Sequence, residues 1–279
     1  MEPARSTHRW RAVRWDLRYA WRATLINTRA AGAYRANLVT SLLFGVLWQA
    51  STIAFASILV RDFSGMGEWP SGAVLMMVAM RLMSHALYAM IFDNVTRVRE
   101  LIDDGRFNAY LLRPVSPLVQ VVFHRVNVNA IGDLAVALTM FTVAVRIAVI
   151  HWSVGMIAFI CAAIISGCLI ETAIQLAVSS CLLRTSAIGA LGTWIEDIMG
   201  TFGNYPINIF PFAVKVLLVG VVPMAFISYL PAMVVTGGGS ESLLLHQFAK
   251  FAPLAGPIMF AAACAFWHRS LRGYSSVGG

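Results

Sequence analysis

Residues 153–183 read SVGMIAFICAAIISGCLIETAIQLAVSSCLL, and Glu171 is the only charged side chain in the run. As an α-helix rising ~1.5 Å per residue, the run is longer than the ~30 Å hydrocarbon core of a bilayer. Its neighbours repeat the pattern. Residues 38–60 and 71–92 are apolar over spanning lengths, and residues 120–148 follow after a polar stretch. The whole chain agrees: among 279 residues, 59% are hydrophobic and 12% are charged, with a mean hydropathy of +0.74. Soluble domains carry roughly 25% charged residues. The composition therefore excludes a soluble enzyme, a disordered tail and a secreted disulfide scaffold, and it implies an all-α integral membrane protein.

The second half is harder to divide. Residues 186–203 are apolar but contain Glu196, Asp197 and glycines at 189, 192, 200 and 203. Residues 207–235 are interrupted by Pro211, Pro223 and Pro231. Either 186–203 is the fifth span and 207–235 a re-entrant helical pair, or 210–235 crosses instead; the first is preferred. Non-helical backbone at membrane depth is tolerated only where protein or water lines it. A last span, 249–267, ends at Trp267, His268 and Arg269. Six crossings within a single transmembrane domain (1–279) follow. Trp69 and Trp152 stand at the entrances of the second and fourth spans, where interfacial tryptophans are expected.

The net charge is +8, and its distribution sets the orientation. Arg5, Arg9, Arg11, Arg14, Arg18, Arg22, Arg29 and Arg35 all precede the first span. On a helix over 9–30, Arg11, Arg14, Arg18, Arg22 and Arg29 fall on one stripe. Trp10, Val13, Leu17 and Trp21 lie on the adjoining face. That pattern suits a helix lying in the headgroup region of the lipid bilayer, not a nucleic-acid patch. With six spans, these arginines share one side with Arg97, Arg99, Arg106, Arg113, Arg184, Arg269 and Arg272. Arg61, Arg146 and Lys250 remain opposite. The positive-inside rule then places both termini in the cytoplasm. No cleavable leader is expected, because the first apolar run is too long and follows a basic helix.

Between the second and third spans, residues 93–117 form a polar segment longer than a turn requires. Val95–Asp104 reads as a short helix of mixed charge, Gly105 stands where a helix C′ residue of positive φ belongs, and Pro114 and Pro117 end the element. Inside the spans, Arg81 and His85 share a face at i, i+4, Asp133 lies near the middle of the third span and Glu171 near the middle of the fourth. A charge at a helix centre costs roughly 2.5–3.5 kcal/mol on insertion scales, so these four are expected to face one another across the bundle. Arg81 pairs with Glu171 or Asp133, as a fixed structural contact or as the lining of a substrate path.

Chemistry of other kinds finds little support. The sequence has no GxxxxGK[ST], HExxH or GxSxG run. Cys161, Cys168, Cys181 and Cys264 lie in apolar runs without metal-ligand spacing, so no metal site is expected.

The run LIDDGRFNAYLLRPVSPL (101–118) resembles the signature of permease subunits of type-two ATP-binding-cassette (ABC) exporters, the ABC-2 family transporter class. NYPINIF (204–210), VPMAFISYLPA (222–232) and LRGYSS (271–276) are similar to that family as well, and the likeness runs from Tyr34–Arg35 to the end. The resemblance implies six spans, an N-terminal interfacial helix, a cytoplasmic coupling helix and re-entrant helices before the last span. It implies a bacterial cell (inner) membrane location, a second permease subunit, and a separate ABC ATPase that holds ATP and Mg. This chain would carry no cofactor and make or break no bonds itself. Carried onto this sequence, Arg97, Arg99, Glu100, Asp103, Asp104 and Arg106 would contact the ATPase. Two rivals remain: an ion-coupled secondary transporter using Asp133 and Glu171 as relays, and a non-transporting scaffold or sensor.

Overall fold

The computed structural model describes residues 4–33, individual positions between 39 and 54, and residues 65–66, 69–185, 191–238 and 243–274. The side chains of the first helix are described from Arg14 to Arg29. Helix α1 (Ala4–Ala33) overruns the expected 9–30 at both ends. The first expected span, 38–60, lies largely outside the described residues. Its described positions between Val39 and Ala54 are helical, and Val39, Leu43, Val46 and Leu47 face outward.

Three described helices are long and apolar enough to cross a membrane: α2 (Ser71–Ile91), α6 (Asn129–Ile147) and α7 (Val154–Leu182). α2 is the most buried of the three, with Met76, Met77 and Met80 fully enclosed. It lies between α6 and α7, and α7 packs along α12 (Ala252–Leu271). Small residues permit these approaches. A Cβ at Gly167 would overlap Ser84, whose hydroxyl donates to the Ile164 carbonyl at 3.1 Å. A Cβ at Gly256 would overlap the backbone of Ser166. There the Ser166 hydroxyl accepts from Gly256 N–H at 2.9 Å and donates to the Ala252 carbonyl at 3.3 Å. It is thus inserted into the ladder of α12, next to Pro257. At 20 residues α12 is long enough to span, but His268, Arg269 and two prolines leave it less apolar than the other three.

The apolar run at 120–148 is divided. Pro117–Val122 forms a separate helix, α5, and α6 begins at Asn129. The interruption carries His124, Arg125 and Asn127, and Asn127 accepts from Asn129 N–H at 3.1 Å; Asn94 braces it, its amide donating to the carbonyls of Val122 at 2.9 Å and Arg125 at 2.7 Å. Asp133 accordingly lies in the second turn of α6, not at mid-span.

Beyond α7 the helices are short. α8 (Leu191–Phe202) has 12 residues, about 18 Å of the expected 186–203; residues 186–190 lie outside the described residues. The proline-broken stretch forms α9 (Phe212–Val216), continued by a π-helical turn to Val221, and α10 (Tyr229–Thr236). Its two arms meet at 69° around Pro223. α11 (Leu243–Ala249) leads into α12. Gly65–Met66 and Trp69–Pro70 pair as a minimal antiparallel ladder before α2. Trp69 is not an exposed interfacial anchor. It is 1% exposed and stacks on Tyr229 at 4.8 Å, because α10 covers the start of α2. Trp152 does face outward, as expected.

Candidate functional site

Two charged regions stand out. The first is internal. Arg81 and His85 project from one face of α2 toward Glu171 on α7, and the single carboxylate receives both. Arg81 Nη1 donates to Oε2 at 3.0 Å, and His85 Nδ1 lies 2.6 Å from Oε1. Glu171 is 3% exposed and Arg81 6%, so this is a cross-helix tie in a nearly dry interior. Gly203 lies against it: a Cβ there would come within 3.1 Å of Arg81 Nε. The other expected partner of Arg81, Asp133, does not take up this pair.

Asp133 nonetheless shares the space. A cavity of ≈ 870 Å³ opens between α2, α6, α7 and α8, and Arg81, His85, Asp133 and Glu171 all line it. All four intramembrane residues singled out by sequence therefore meet at one place. Tyr88, Asp93, Glu196 and Asp197 join them and were not singled out as site residues. The signal for Glu196 and Asp197 was two adjacent carboxylates in an otherwise apolar run. Gln175 from α7 reaches Glu196, with Nε2 to Oε1 at 3.4 Å. Of the glycines on α8, Gly200 lines the cavity with open space around it.

The second region lies at the end of the bundle where α2 finishes. After a 3-10 turn (Asp93–Arg97) come α3 (Val98–Asp103) and α4 (Arg106–Leu111), joined through Gly105 at φ 71°. The backbone turns as the sequence predicts: Asp104 N–H donates to the Glu100 carbonyl, and Gly105 N–H to that of Ile102, each at 2.9 Å. The underside is apolar. Val95, Val98, Leu101 and Phe107 pack with Leu176, Ala263 and Trp267 of α7 and α12. Ser179 donates to the Val95 carbonyl at 2.7 Å, and Phe107 meets Trp267 edge-on at 6.1 Å. Arg97, Arg99, Glu100, Asp103, Asp104 and Arg106 are partly or fully exposed on the other face. Among the described residues they pair locally, Arg97 with Glu100 at 3.4 Å, Arg99 with Asp103 at 3.5 Å and Arg106 with Asp104 at 3.4 Å.

The segment is also held from behind. Gln120 Nε2 donates to the carbonyls of Tyr110 and Val115, both at 2.9 Å. Tyr110 and His124 meet through Oη and Nδ1 at 2.7 Å. Burial, followed by Arg125, holds the His124 imidazole below its ordinary pKa, and burial raises that of Tyr110. Helix α1 joins here: Asp16 accepts from Ser116 N–H at 3.0 Å, and Asn27 donates to the Phe123 and His124 carbonyls at 3.0 Å. Its outer face carries Arg14, Arg18, Arg22, Leu17 and Trp21, the last 68% exposed. The side chains of Trp10 and Arg11, expected on that face, lie outside the described residues.

Against known proteins, the family model described as ABC-2 family transporter protein matches residues 46–278. The match takes in every described helix except α1, and the chain belongs to that family. Neither the curated proteins nor the solved structures include a match to it.

Proposed function

We propose that this ABC-2 family membrane protein is the permease subunit of an exporter, crossing a bacterial cell (inner) membrane six times with both termini cytoplasmic. In this reading 38–60 and α12 cross as well as α2, α6 and α7. The stretch over 186–203 supplies the remaining crossing, and the bent α9–α10 pair is re-entrant. The chain pairs with a second permease subunit and docks a separate ABC ATPase. ATP and Mg belong to that ATPase, and the permease is not an enzyme.

The observation that carries the reading is the two-faced 93–111 segment. Its apolar side is seated on the ends of α7 and α12, and its charges from Arg97 to Arg106 are turned outward and, among the described residues, held by weak local pairs. Motion of an ATPase bound to that face would pass directly to the spans that line the cavity. A secondary transporter is the second reading, favoured by the buried Arg81–Glu171–His85 contact beside Asp133, since intramembrane ionisable groups form proton relays in such proteins.

Affinity purification of the tagged full chain from its native membrane in mild detergent, followed by mass spectrometry, distinguishes the two. An ATPase carrying the phosphate-loop motif, captured at one copy per permease, is the expected result. A chain that emerges alone, even after crosslinking through residues 97–106, overturns the exporter reading and leaves the secondary transporter.

A further inference from the structure

Buried polar groups in folded proteins nearly always find a partner, so a buried group without one points to something that supplies it. Three such atoms, unpaired among the described residues, belong to side chains that line the cavity: Arg81 Nε, Tyr88 Oη and Asn129 Oδ1. Arg81 gives Nη1 to Glu171 but leaves Nε–H without an acceptor. Tyr88 is 4% exposed, and Glu171, Asp93 and Glu196, all cavity residues, are among the charged groups around its hydroxyl. Asn129 faces them from α6. Acids line the wall as well, but Glu171 is held by Arg81 and His85, Glu196 is met by Gln175, and Asp133 has an interaction of its own within the structure.

The three unpaired atoms differ in kind, which decides what can satisfy them. Arg81 Nε–H only donates, Asn129 Oδ1 only accepts, and the Tyr88 hydroxyl does either. An ammonium has nothing to accept the Arg81 proton. A carboxylate has nothing to give Asn129, and beside Arg81 it meets Glu171. A hydroxyl donates and accepts at once, and three groups on two helices require several hydroxyls on one frame. The rest of the wall offers Thr201 and Asn204, which pair with hydroxyls, and Leu82, Ala89 and Met199, which do not. The volume of ≈ 870 Å³ falls within the range of small-molecule sites.

The geometry points to this cavity as a binding site for an uncharged, hydroxyl-rich ring that carries an apolar or aromatic group, the chemistry of an aryl glycoside. One ring hydroxyl accepts from Arg81 Nε–H, another pairs with Tyr88 Oη, and a third donates to Asn129 Oδ1. The apolar group lies against Leu82, Ala89 and Met199. The assignment deepens the proposed permease function by naming its substrate class, and it rests on that reading for its role in transport.

The test is equilibrium dialysis of the full chain in lipid nanodiscs, with empty discs subtracted. Three probes share one frame: phenyl β-glucoside, phenyl β-glucuronide with a carboxylate in place of the primary hydroxyl, and the analogue with an ammonium there. The neutral glucoside should bind at least ~5-fold more tightly than either charged probe. Tyr88→Phe, which keeps the ring, should weaken the glucoside ~5-fold or more, and Asn129→Ala, on a different helix, several-fold. Tyr88→Phe should also melt no lower than the wild type, because it removes a buried hydroxyl that nothing in the fold satisfies. Each variant is compared at matched monodisperse elution, so that if one fails to fold the other still decides. Equal or tighter binding of a charged probe, binding no greater than to empty discs, or unchanged affinity in the folded variants overturns the assignment. A Tyr88→Phe protein that melts far below the wild type overturns it too, since its hydroxyl is then bonded within the fold. Capture of the ATPase from native membranes is scored separately. An ATPase captured without glucoside binding refutes the site and spares the permease, and glucoside binding without a captured ATPase does the reverse.

Discussion

The Arg81–His85–Glu171 cluster and the charged face over 97–106 use the same residue types to opposite ends. In the first, one carboxylate is tied to two side chains from another helix at 2.6 and 3.0 Å, with Glu171 and Arg81 almost wholly buried and His85 half-buried. In the second, each charge is paired within five residues at 3.4–3.5 Å, in contact with water. Desolvated charges with committed partners fix how α2 and α7 meet. Exposed charges held by weak local pairs leave their bonding capacity for another molecule.

The largest expected effect is at Glu171. Glu171→Ala leaves Arg81 buried without its counter-ion, and breaking a buried pair costs about 3–5 kcal/mol. Thermal unfolding of the purified chain should shift sharply downward, with Glu171→Gln intermediate. An Ala variant as stable as the wild type would break the contrast. Gly105→Ala should have a middle effect. Nothing lies within 4 Å of a Cβ there, so the cost is the left-handed backbone alone, about 1–2 kcal/mol. A loss as large as that at Glu171 would show the surface element to be as tightly fixed as the interior. The smallest effect on stability belongs to the Arg99–Asp103 pair, where R99A/D103A should cost no more than ~1 kcal/mol. The same double variant should reduce ATPase capture several-fold, which sharpens the contrast. Unchanged capture would remove the docking role of that face.

Much of this was legible in the sequence because it depends on period and length. The apolar runs at 71–92 and 153–183 became α2 and α7, and the i, i+4 spacing of Arg81 and His85 put them on one face. Gly105 could be read because positive φ after a short helix selects glycine. What could not be read depends on distant partners. The 120–148 run carries His124, Arg125 and Asn127 just after Val122, but the side chain that holds the broken backbone is Asn94, 28 residues away. Trp69 looks like an interfacial anchor until α10, more than 150 residues later, covers it. Glu196 and Asp197 read as a disturbance in an apolar segment. Only the packing of α8 beside α2, α6 and α7 turns them into part of a cavity wall.

The attachment of α1 has a mechanical consequence. One fastening would leave this helix a free swivel. Among the described residues it has two, at Asp16 and Asn27, about 16 Å apart along its axis, and both grip the short stretch between Ser116 and His124. A strut pinned at two points transmits torque. If Trp21 and its neighbouring arginines follow a lipid surface, as proposed, the rod would carry that tilt into the stretch that Gln120 and Asn94 bind to the 93–115 element. In the proposed permease, the bilayer would act as a lever on the segment offered to the ATPase.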